Sequence, residues 1–336
     1  MQSKQRVDFQ GRRRQPWTRP QGLEGVLARW QGDRPLWSQI CLDHHLPAQA
    51  ATLVPLPDDV PEALRAALAA RGITALYRHQ AEAFQWAEQG HSWVVATPTA
   101  SGKSLAFHLP VLARLAREPG SCALYLYPTK ALARDQEESL RQLLQAAKLP
   151  QGAITFDGDT PADARKAAKQ RAGLLITNPD MLHGGILPHH TDWARVFAQL
   201  HYVIVDEVHS YRGVFGSHVA GVMRRLQRVA RFHGSDPVFL CASATIGNPA
   251  EHAARLVGKE MRCIAASYAP VGPRRVLVYN PPIVNEALGL RASALKSAVR
   301  LAGDLLQAEV PTLLFGQSRG SVEVMLKYLR ERVSRR

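Results

Sequence analysis

Short apolar runs alternate with amphipathic segments along most of the chain, beginning near residue 61. Several runs have the continuous apolar character of strands that are buried on both faces of a sheet. They cover residues 92–96, 123–127, 174–177, 202–205 and 237–242. Between them, apolar residues recur at helical spacing in 105–117, 131–147, 161–170 and 216–231. Because strands and helices alternate, the pattern predicts an α/β fold, a doubly wound parallel sheet with flanking helices.

A second, shorter series of the same kind follows Pro270. Its predicted elements are a strand at 276–279, a helix at 293–307, a strand at 312–315 and a helix at 322–332. The first part of the chain has no sustained period, is rich in Arg, Gln, Pro and Trp, and contains a short predicted helix at 22–31. We therefore expect a basic N-terminal extension, a first large α/β domain and the start of a second domain, at residues 1–55, 56–268 and 269–336.

The net charge of the chain indicates which class of partner it binds. The formal net charge is +14 and the isoelectric point is near 10.0, which favours a polyanionic partner but says nothing about the fold. No apolar run approaches the length of a membrane span, and the basic N-terminus lacks the apolar stretch of a signal peptide, so we expect a cytoplasmic protein. The 4 cysteines form no Cys-x-x-Cys pair, which argues against a zinc ribbon or a redox motif.

A phosphate-binding loop is predicted at residues 97–104. The segment runs from a β-branched strand into a helix and matches a Walker A loop, although Thr97 stands where the usual pattern has its first glycine. Small residues let backbone N–H groups converge on phosphate oxygens, and the helix N-terminus adds positive potential. Lys103 is expected to reach the β- and γ-phosphates, and the Ser104 hydroxyl to bind Mg²⁺. A chance Gly-Lys-Ser turn is the alternative, but the strand before it and the helix after it favour a nucleotide site.

An acidic pair follows the apolar strand that ends at Val205. Asp206 and Glu207 would be costly at the end of a buried strand unless they served a cation. We expect Asp206 to hold Mg²⁺, and Glu207 to act as the general base that orients and deprotonates the attacking water. The alternative is a solvated Asp-Glu pair in a loop, which the preceding strand disfavours.

These motifs and several others occur in the order found in superfamily-two DEAD/DEAH-box helicases, which the chain resembles. Residues 97–104, 206–209 and 243–245 resemble motifs I, II and III. The strings Tyr77-Arg-His-Gln80, Tyr127-Pro-Thr-Lys-Ala-Leu132, Thr177-Asn-Pro-Asp-Met-Leu182 and Phe315-Gly-Gln-Ser-Arg319 resemble the Q motif and motifs Ia, Ib and IV.

Longer strings resemble a particular group within that superfamily, the YprA-like (MrfA-type) helicases, which are related to the yeast Hrq helicases. Among them are ATPTASGKSLAFHLPVL, TNPDMLHGGILPHH and YRGVFGSHVAGVMRRL. The resemblance covers roughly residues 55–335. It implies RecA-like domains, an ATP-driven DNA helicase that moves 3′ to 5′, and a role in DNA repair with repair-associated proteins as partners.

The resemblance also implies which residues contact ATP and Mg²⁺. The glutamine of the Q motif, Gln80, would read the adenine edge. The catalytic residues would be Glu207, Asp206 and Lys103, with Ser104 and Asp206 as the metal ligands. The full predicted nucleotide-binding set is Gln80, Thr97, Pro98, Thr99, Ala100, Ser101, Gly102, Lys103 and Ser104.

The remaining motifs predict contacts with a nucleic-acid strand, either single-stranded DNA or a duplex junction. Motifs Ia and Ib grip a strand backbone in the resembling family, and the predicted residues here are Thr129, Lys130, Arg134, Thr177 and Asn178. Contacts of this kind position a strand without reading its sequence, so binding should be sequence-tolerant and salt-dependent. His209, Ser243 and Thr245 are predicted to couple hydrolysis to strand movement.

Two further groups have weaker signals. Tyr211 and Arg212 are interpreted either as nucleic-acid contacts or as a cap of the acidic-box loop. A basic cluster on the predicted helix at 216–231 is interpreted as a solvated face, with a DNA-facing patch as the alternative. Its members are Arg224, Arg225, Arg228 and Arg231.

The sequence departs from the family pattern after motif IV, since motifs V and VI are not found before Arg336. Motif VI supplies the arginine finger, which contributes about three to five powers of ten in rate. We therefore expect an N-terminal fragment of a helicase that binds ATP–Mg²⁺ weakly, hydrolyses it poorly and does not unwind a duplex by itself. An RNA helicase, a duplex translocase on the same motor, and a nucleic-acid-binding module without turnover remain the alternatives.

Overall fold

A computed structural model describes residues 22–334. These residues form two compact units, one made of residues 48–272 and the other of residues 22–47 together with 273–334. No helix within 22–334 is both long and apolar enough to cross a membrane.

The predicted helices lie close to their expected positions, as do all the predicted strands except the one at 312–315, and further short elements accompany them. The helices are α1 (Leu23–Gly32), α2 (Arg34–Trp37), α3 (Glu62–Ala69), α4 (Arg78–Glu88), α5 (Lys103–Arg117), α6 (Lys130–Ala146), α7 (Ala162–Arg171), α8 (Pro179–Met181), α9 (Ala194–Ala198), α10 (Gly213–Phe232), α11 (Pro249–Val257), α12 (Ala294–Gln307) and α13 (Arg319–Ser334). The strands are β1 (Ile40–Leu46), β2 (Leu53–Pro55), β3 (Ala75–Tyr77), β4 (Trp93–Val95), β5 (Cys122–Leu126), β6 (Gly152–Thr155), β7 (Ala172–Thr177), β8 (Leu200–Val205), β9 (Val238–Ala242), β10 (Arg262–Ile264), β11 (Arg274–Tyr279), β12 (Ile283–Asn285) and β13 (Leu290–Arg291).

A seven-stranded parallel sheet organises residues 48–272. Its strand order is β10-β4-β9-β8-β5-β7-β6, and each neighbouring pair is parallel. Every residue of β4, β5 and β7 is buried, which explains why these strands read as continuous apolar runs. The predicted α/β, RecA-like fold is confirmed, and the sheet gains two short strands, β6 and β10, that the pattern did not predict.

Helices cover both faces of this sheet, and each face has its own hydrophobic core. One core contains side chains from α3, α4, α5 and α6, and the other contains side chains from α7, α9, α10 and α11. The chain moves one way along the sheet through α5 and α6, and back through α7, α9, α10 and α11. Because parallel crossovers are right-handed, opposite directions of travel place the helices on opposite faces.

The second unit is built on an antiparallel pair, β1 with β11. Its core is small and includes Val26, Trp30 and Leu36, and the Trp30 indole donates to Asp304 at 3.1 Å. Residues 22–47, which we expected in the N-terminal extension, therefore group with residues that follow Gly272. The reason is a strand pairing across more than two hundred residues, which no local pattern reveals.

One predicted strand is wrong. Residues 312–315 have no strand conformation and no strand partner among the described residues. Leu313 and Phe315 are 78% and 81% exposed, so the apolar alternation that suggested a strand is not buried here. An apolar run forms a strand only where a neighbouring strand satisfies its backbone groups.

Candidate functional site

The predicted motifs meet at the carboxyl edge of the sheet, where parallel strands end. Val95 lies beside Ala242, and Val205 lies beside both Cys241 and Leu126, so these strand ends are level. In their order along the sheet, β4 is followed by the phosphate loop, β9 by residues 243–245 and β8 by the acidic pair. Farther along, β5 is followed by residues 127–130 and β7 by residue 178. Neighbouring strands are about 4.8 Å apart, so the phosphate loop and the acidic pair are separated by about two strand spacings.

The phosphate loop is a tight turn between β4 and α5. Ala100 and Gly102 have φ angles of 60° and 77°, which turn the backbone towards the start of α5. Thr97 and Ser101 are buried, and their hydroxyl oxygens are 2.6 Å apart. A side chain at Gly102 would place its Cβ 2.5 Å from Nε2 of Gln80. Glycine at this position therefore provides both the left-handed backbone and the close approach.

Lys103 connects the phosphate loop to the end of β9. Its ammonium donates to the Thr97 carbonyl at 2.9 Å and to the Ser243 carbonyl at 3.2 Å. Both acceptors are neutral, so a phosphate group placed at this loop would offer the ammonium a stronger, charge-assisted hydrogen bond. Ser104, the next residue, is half-buried at the start of α5.

Gln80 and His79 hold the loop from the side of α4. Gln80 accepts a hydrogen bond from the Tyr77 N–H at 3.0 Å and donates to the Gly102 carbonyl at 2.9 Å. The fully buried His79 ring accepts from the Tyr268 N–H at 3.3 Å, so its other nitrogen, Nε2, carries the proton and donates to the Ser101 carbonyl at 2.9 Å. Burial lowers the pKa of His79, which keeps the ring neutral. The sequence analysis assigned no role to His79, and its only signal in the sequence is its position next to the predicted glutamine.

A groove of about 430 Å³ opens beside the loop. Tyr77, Gln80, Gly102 and Leu105 form the wall nearest the loop. A mostly apolar groove of this size next to a phosphate-binding turn suits the flat face of a purine base. The rest of its lining is Ala51, Leu53, Gly72, Ile73, Thr74 and Ala75.

Asp206 is a nearly buried carboxylate, 8% exposed. It accepts a hydrogen bond from the Glu207 N–H at 2.8 Å. Burial raises the pKa of Asp206 to about 6, and the nearby Lys103 ammonium acts in the opposite direction. A buried carboxylate with so few donors is stabilised by a cation, which agrees with its predicted role. Glu207 adopts a left-handed backbone, φ 52°, which places its half-buried carboxylate beside His209.

His209 links the acidic pair to the segment after β9. Its Nδ1 atom accepts a hydrogen bond from the Ala244 N–H at 3.0 Å and lies 3.2 Å from a carboxylate oxygen of Glu207. The Ser243 hydroxyl is buried without a hydrogen-bond partner among the described residues, and Thr245 is exposed. The contact between these segments therefore runs through the backbone of Ala244 rather than through the hydroxyl groups of Ser243 and Thr245. The coupling role of all three predicted residues stays a prediction.

The donors at this edge fit Mg²⁺ bound together with phosphates. Mg²⁺ usually takes one or two carboxylates, substrate phosphates and several waters rather than a cage of protein ligands. Within residues 22–334 no group of three or more His, Cys, Asp or Glu side chains is arranged for a metal ion. Ser104 and Asp206 offer a hydroxyl and a desolvated carboxylate, which is the small donor set that such a complex needs.

The residues predicted to contact nucleic acid lie farther along the same edge. Thr129 caps α6 by accepting a hydrogen bond from the Leu132 N–H at 3.3 Å. Lys130 and Arg134 are exposed and face the Asp159 carboxylate at 2.6 and 3.9 Å. This carboxylate raises the pKa of Lys130. Both cations are therefore available to an anion that replaces Asp159.

Thr177 is the exception in this group. It is 2% exposed, and its hydroxyl donates to the Phe156 carbonyl at 2.7 Å, so its side chain offers nothing to a strand on the surface. The predicted contact of Thr177 with a nucleic-acid strand stays a prediction. Asn178 is half-buried and accepts a hydrogen bond from the Met181 N–H at 2.8 Å, which caps α8.

Comparisons with known proteins show which families and structures the chain resembles. The sequence model of the DEAD/DEAH box helicase family matches residues 77–253. The ATP-dependent helicase YprA of Bacillus subtilis (strain 168) is 47% identical over 87% of this chain. The ATP-dependent helicase HRQ1 of Saccharomyces cerevisiae is 36% identical over 76% of this chain. The crystal structure of the DUF1998 helicase MrfA bound to DNA and AMPPNP superimposes with a TM-score of 0.89 at 44% identity over 94% of this chain.

The chain corresponds to only part of each of these proteins. It spans 39% of the length of YprA, 24% of HRQ1 and 43% of the MrfA chain.

Proposed function

The chain belongs to the DEAD/DEAH-box helicase family, and we propose that it carries the ATP-binding motor domain of an ATP-dependent DNA helicase. One observation carries the proposal furthest. The Lys103 ammonium bridges the phosphate loop and the end of β9, while β8 beside β9 leads into the buried carboxylate of Asp206. A cation and a desolvated carboxylate at the same edge of the sheet are suited to a triphosphate with its metal ion.

The chain's own groups would divide the work at the triphosphate. Backbone N–H groups of the loop and the Lys103 ammonium would bind the phosphates in place of the neutral carbonyls that Lys103 now contacts. Ser104 and Asp206 would hold Mg²⁺, which neutralises charge on the transferred phosphate. Glu207 would orient the attacking water and accept its proton.

The adenine base of ATP and the coupling residue His209 can be placed in the same site. The adenine would occupy the groove beside Tyr77, with Gln80 between the base and the loop. His209 would report the state of the acidic pair to the segment after β9, because its Nδ1 atom cannot accept from Ala244 and donate to Glu207 at the same time.

The finer parts of the proposal concern the nucleic acid. Lys130 and Arg134 would bind the strand backbone by exchanging Asp159 for phosphates. DNA is favoured because the MrfA structure contains DNA. Movement from 3′ to 5′ and a role in DNA repair rest on the family resemblance, and unwinding of 3′- against 5′-tailed duplexes by the complete protein tests the direction. A cytoplasmic location rests on the apolar pattern of the sequence.

The central test is Lys103→Ala. We expect affinity for ATP–Mg²⁺ to fall about 10- to 100-fold, because a hydrogen bond to a charged group is worth about 1.5–3 kcal/mol. The control is Lys166→Ala, an exposed lysine on α7 that contacts no part of this site. Fluorescence titration with a labelled ATP analogue measures both variants. Equal affinity of the wild type and the Lys103 variant would contradict the proposed site.

Competition assays separate the alternatives. An ATPase rate stimulated equally by RNA and DNA would favour an RNA helicase or a general translocase. Nucleic-acid affinity that ignores both ATP and the Lys103→Ala change would leave only a passive binding module.

A further inference from the structure

A second groove opens between α10 and α11, away from the phosphate loop. This α10–α11 groove has a volume of about 550 Å³. It begins at the turn after the acidic pair and runs along the two helices. Its lining residues are Tyr211, Arg212, Gly213, Gly216, Ser217, Ala220, Arg224, His252, Arg255 and Leu256.

The groove is strongly basic. Arg212, Arg224 and Arg255 line it, and none of the described residues that line it is acidic. Arg212 and Arg224 are exposed, and their guanidinium groups make no hydrogen bond or ion pair with any described residue. Arg255 pairs with Glu251 at 2.6 Å, and both side chains are exposed. Unpaired guanidinium groups that converge on one groove are suited to phosphate.

The structure separates the arginines that the sequence grouped together. Arg224 lies in the α10–α11 groove, whereas Arg225 points the other way and contacts His183. Arg231 lies 3.5 Å from Asp236, and Arg228 lines a different depression near the end of α10. The basic cluster is therefore not one face, and only Arg224 joins Arg212 in the groove.

An exposed aromatic side chain lies on the first turn of α10, three residues after Arg212. Phe215 is 45% exposed on the first turn of α10, whereas Tyr211 is 1% exposed and its ring is not available for stacking. Phe215 and His218 line another groove together with Pro179, the residue after Asn178. Ser217 lines both this groove and the α10–α11 groove, so the two grooves adjoin across the first turns of α10.

We propose that the α10–α11 groove binds the phosphodiester backbone of a nucleic-acid strand that continues beyond motifs Ia and Ib, and that Phe215 stacks on one of its bases. The proposal rests on the proposed function, since it extends the path of the same strand. Arginines beside an exposed aromatic ring bind single strands by pairing with phosphates and stacking on bases. An acidic protein segment would use the arginines but would not require Phe215.

Both walls of the α10–α11 groove contact the loop that follows the acidic pair. His252 contacts the Val208 carbonyl at 2.9 Å, two residues after Asp206. On the other wall, a Cβ at Gly216 would lie 2.4 Å from the Tyr211 carbonyl, so α10 packs tightly on the same loop. A strand in the groove would therefore touch the two helices that support the acidic loop.

The test compares affinities for a fluorescein-labelled single-stranded DNA by anisotropy at several salt concentrations, using the full chain. We expect Arg212→Ala with Arg224→Ala to weaken binding roughly tenfold and to reduce the magnitude of the salt slope by about 1.4, since each phosphate contact on a single strand contributes about 0.7. Phe215→Ala should weaken binding at least about fivefold with no change in the salt slope, because stacking is not ionic.

Two controls keep the outcome specific. Arg228→Ala removes an exposed, unpaired arginine from the same helix outside the groove and should leave affinity unchanged. Lys130→Ala tests the strand contact of the proposed function itself. If Lys130→Ala weakens binding while the groove variants do not, the groove proposal is overturned and the proposed function stands.

Other results point elsewhere. If the wild type does not bind DNA at all, the nucleic-acid part of the proposed function fails, and the groove proposal fails with it. If an acidic peptide binds to the groove arginines while DNA affinity ignores their removal, the groove binds protein and the proposal is wrong. Melting temperatures of all variants within about 3 °C of the wild type exclude misfolding as the cause.

Discussion

The side chains of the candidate site at the carboxyl edge of the sheet are held mainly by hydrogen bonds to backbone groups. Lys103 donates to two carbonyls, Gln80 accepts from one N–H and donates to one carbonyl, and His209 accepts from an N–H. Such contacts fix a side chain where the chain path is fixed, whatever the neighbouring side chains are. At the residue scale the site is therefore as well defined as the loops that carry it.

His108 gives a pH dependence at the same scale. It lies buried on α5, where its ring nitrogens contact the Tyr125 hydroxyl and the Gln136 side chain, both at 3.2 Å. Burial lowers the pKa of His108 to about 4, against 6.5 in the unfolded chain. The unfolded chain therefore binds the extra proton first, and stability that is fully present above pH 6.5 is lost as the pH falls towards 4.

We expect the free energy of unfolding to drop between pH 7 and pH 5 by about 2 kcal/mol more in the wild type than in His108→Gln, whose side chain does not titrate. Urea denaturation at both pH values measures this difference. Parallel losses in the two proteins would show that His108 does not carry the acid sensitivity.

At the scale of elements, two strand–loop–helix segments carry the candidate site. In one, β4 leads into the phosphate loop and α5, and in the other, β8 leads into the acidic pair and α10. The segment that contains β8 and α10 is tightly packed, because Gly216 brings the first turn of α10 against the Tyr211 carbonyl. Further along the same helix, Gly221 has open space around its Cβ position.

These two glycines should respond in opposite ways to alanine. Gly216→Ala forces the backbone of Tyr211 to move and should destabilise the protein by about 1–3 kcal/mol. Gly221→Ala should stabilise it by about 0.5–1 kcal/mol, because alanine loses less backbone entropy in a helix. Chemical denaturation of both variants is the measurement, and a Gly216 variant as stable as the Gly221 variant would refute the tight packing.

At the scale of the whole molecule, the chain divides so that the candidate site lies in one unit. The phosphate loop, the acidic pair, the segment after β9 and the α10–α11 groove all belong to residues 48–272, as do the two large hydrophobic cores. The formal net charge of +14 describes the whole chain and supports binding to a polyanion at low salt.

A chain of residues 48–272 should therefore fold alone and keep its nucleotide affinity. It has its own cores and the size of an ordinary domain. We expect its affinity for ATP–Mg²⁺ to stay within about threefold of the full chain, a difference well below 1.4 kcal/mol. Titration of both chains with a labelled ATP analogue decides this, and a loss of tenfold or more would mean that residues outside 48–272 contribute.

The sequence determined the local features of this protein. Continuous apolar runs predicted the central strands because those strands are buried on both faces, and Gly102-Lys103-Ser104 predicted the phosphate loop because a strand precedes it and a helix follows. The order of motifs was enough for the family. Each of these signals lies within a few consecutive residues, so it can be recognised without knowledge of the rest of the fold.

Only the tertiary structure decided what depends on residues far apart in the chain. It paired β1 with β11, buried the Thr177 hydroxyl under Phe156 and gave His79 its place between the phosphate loop and Tyr268. It also brought Arg255 of α11 to Arg212 and Arg224. No period or motif encodes such contacts, because each requires two segments to be folded against each other before the contact exists.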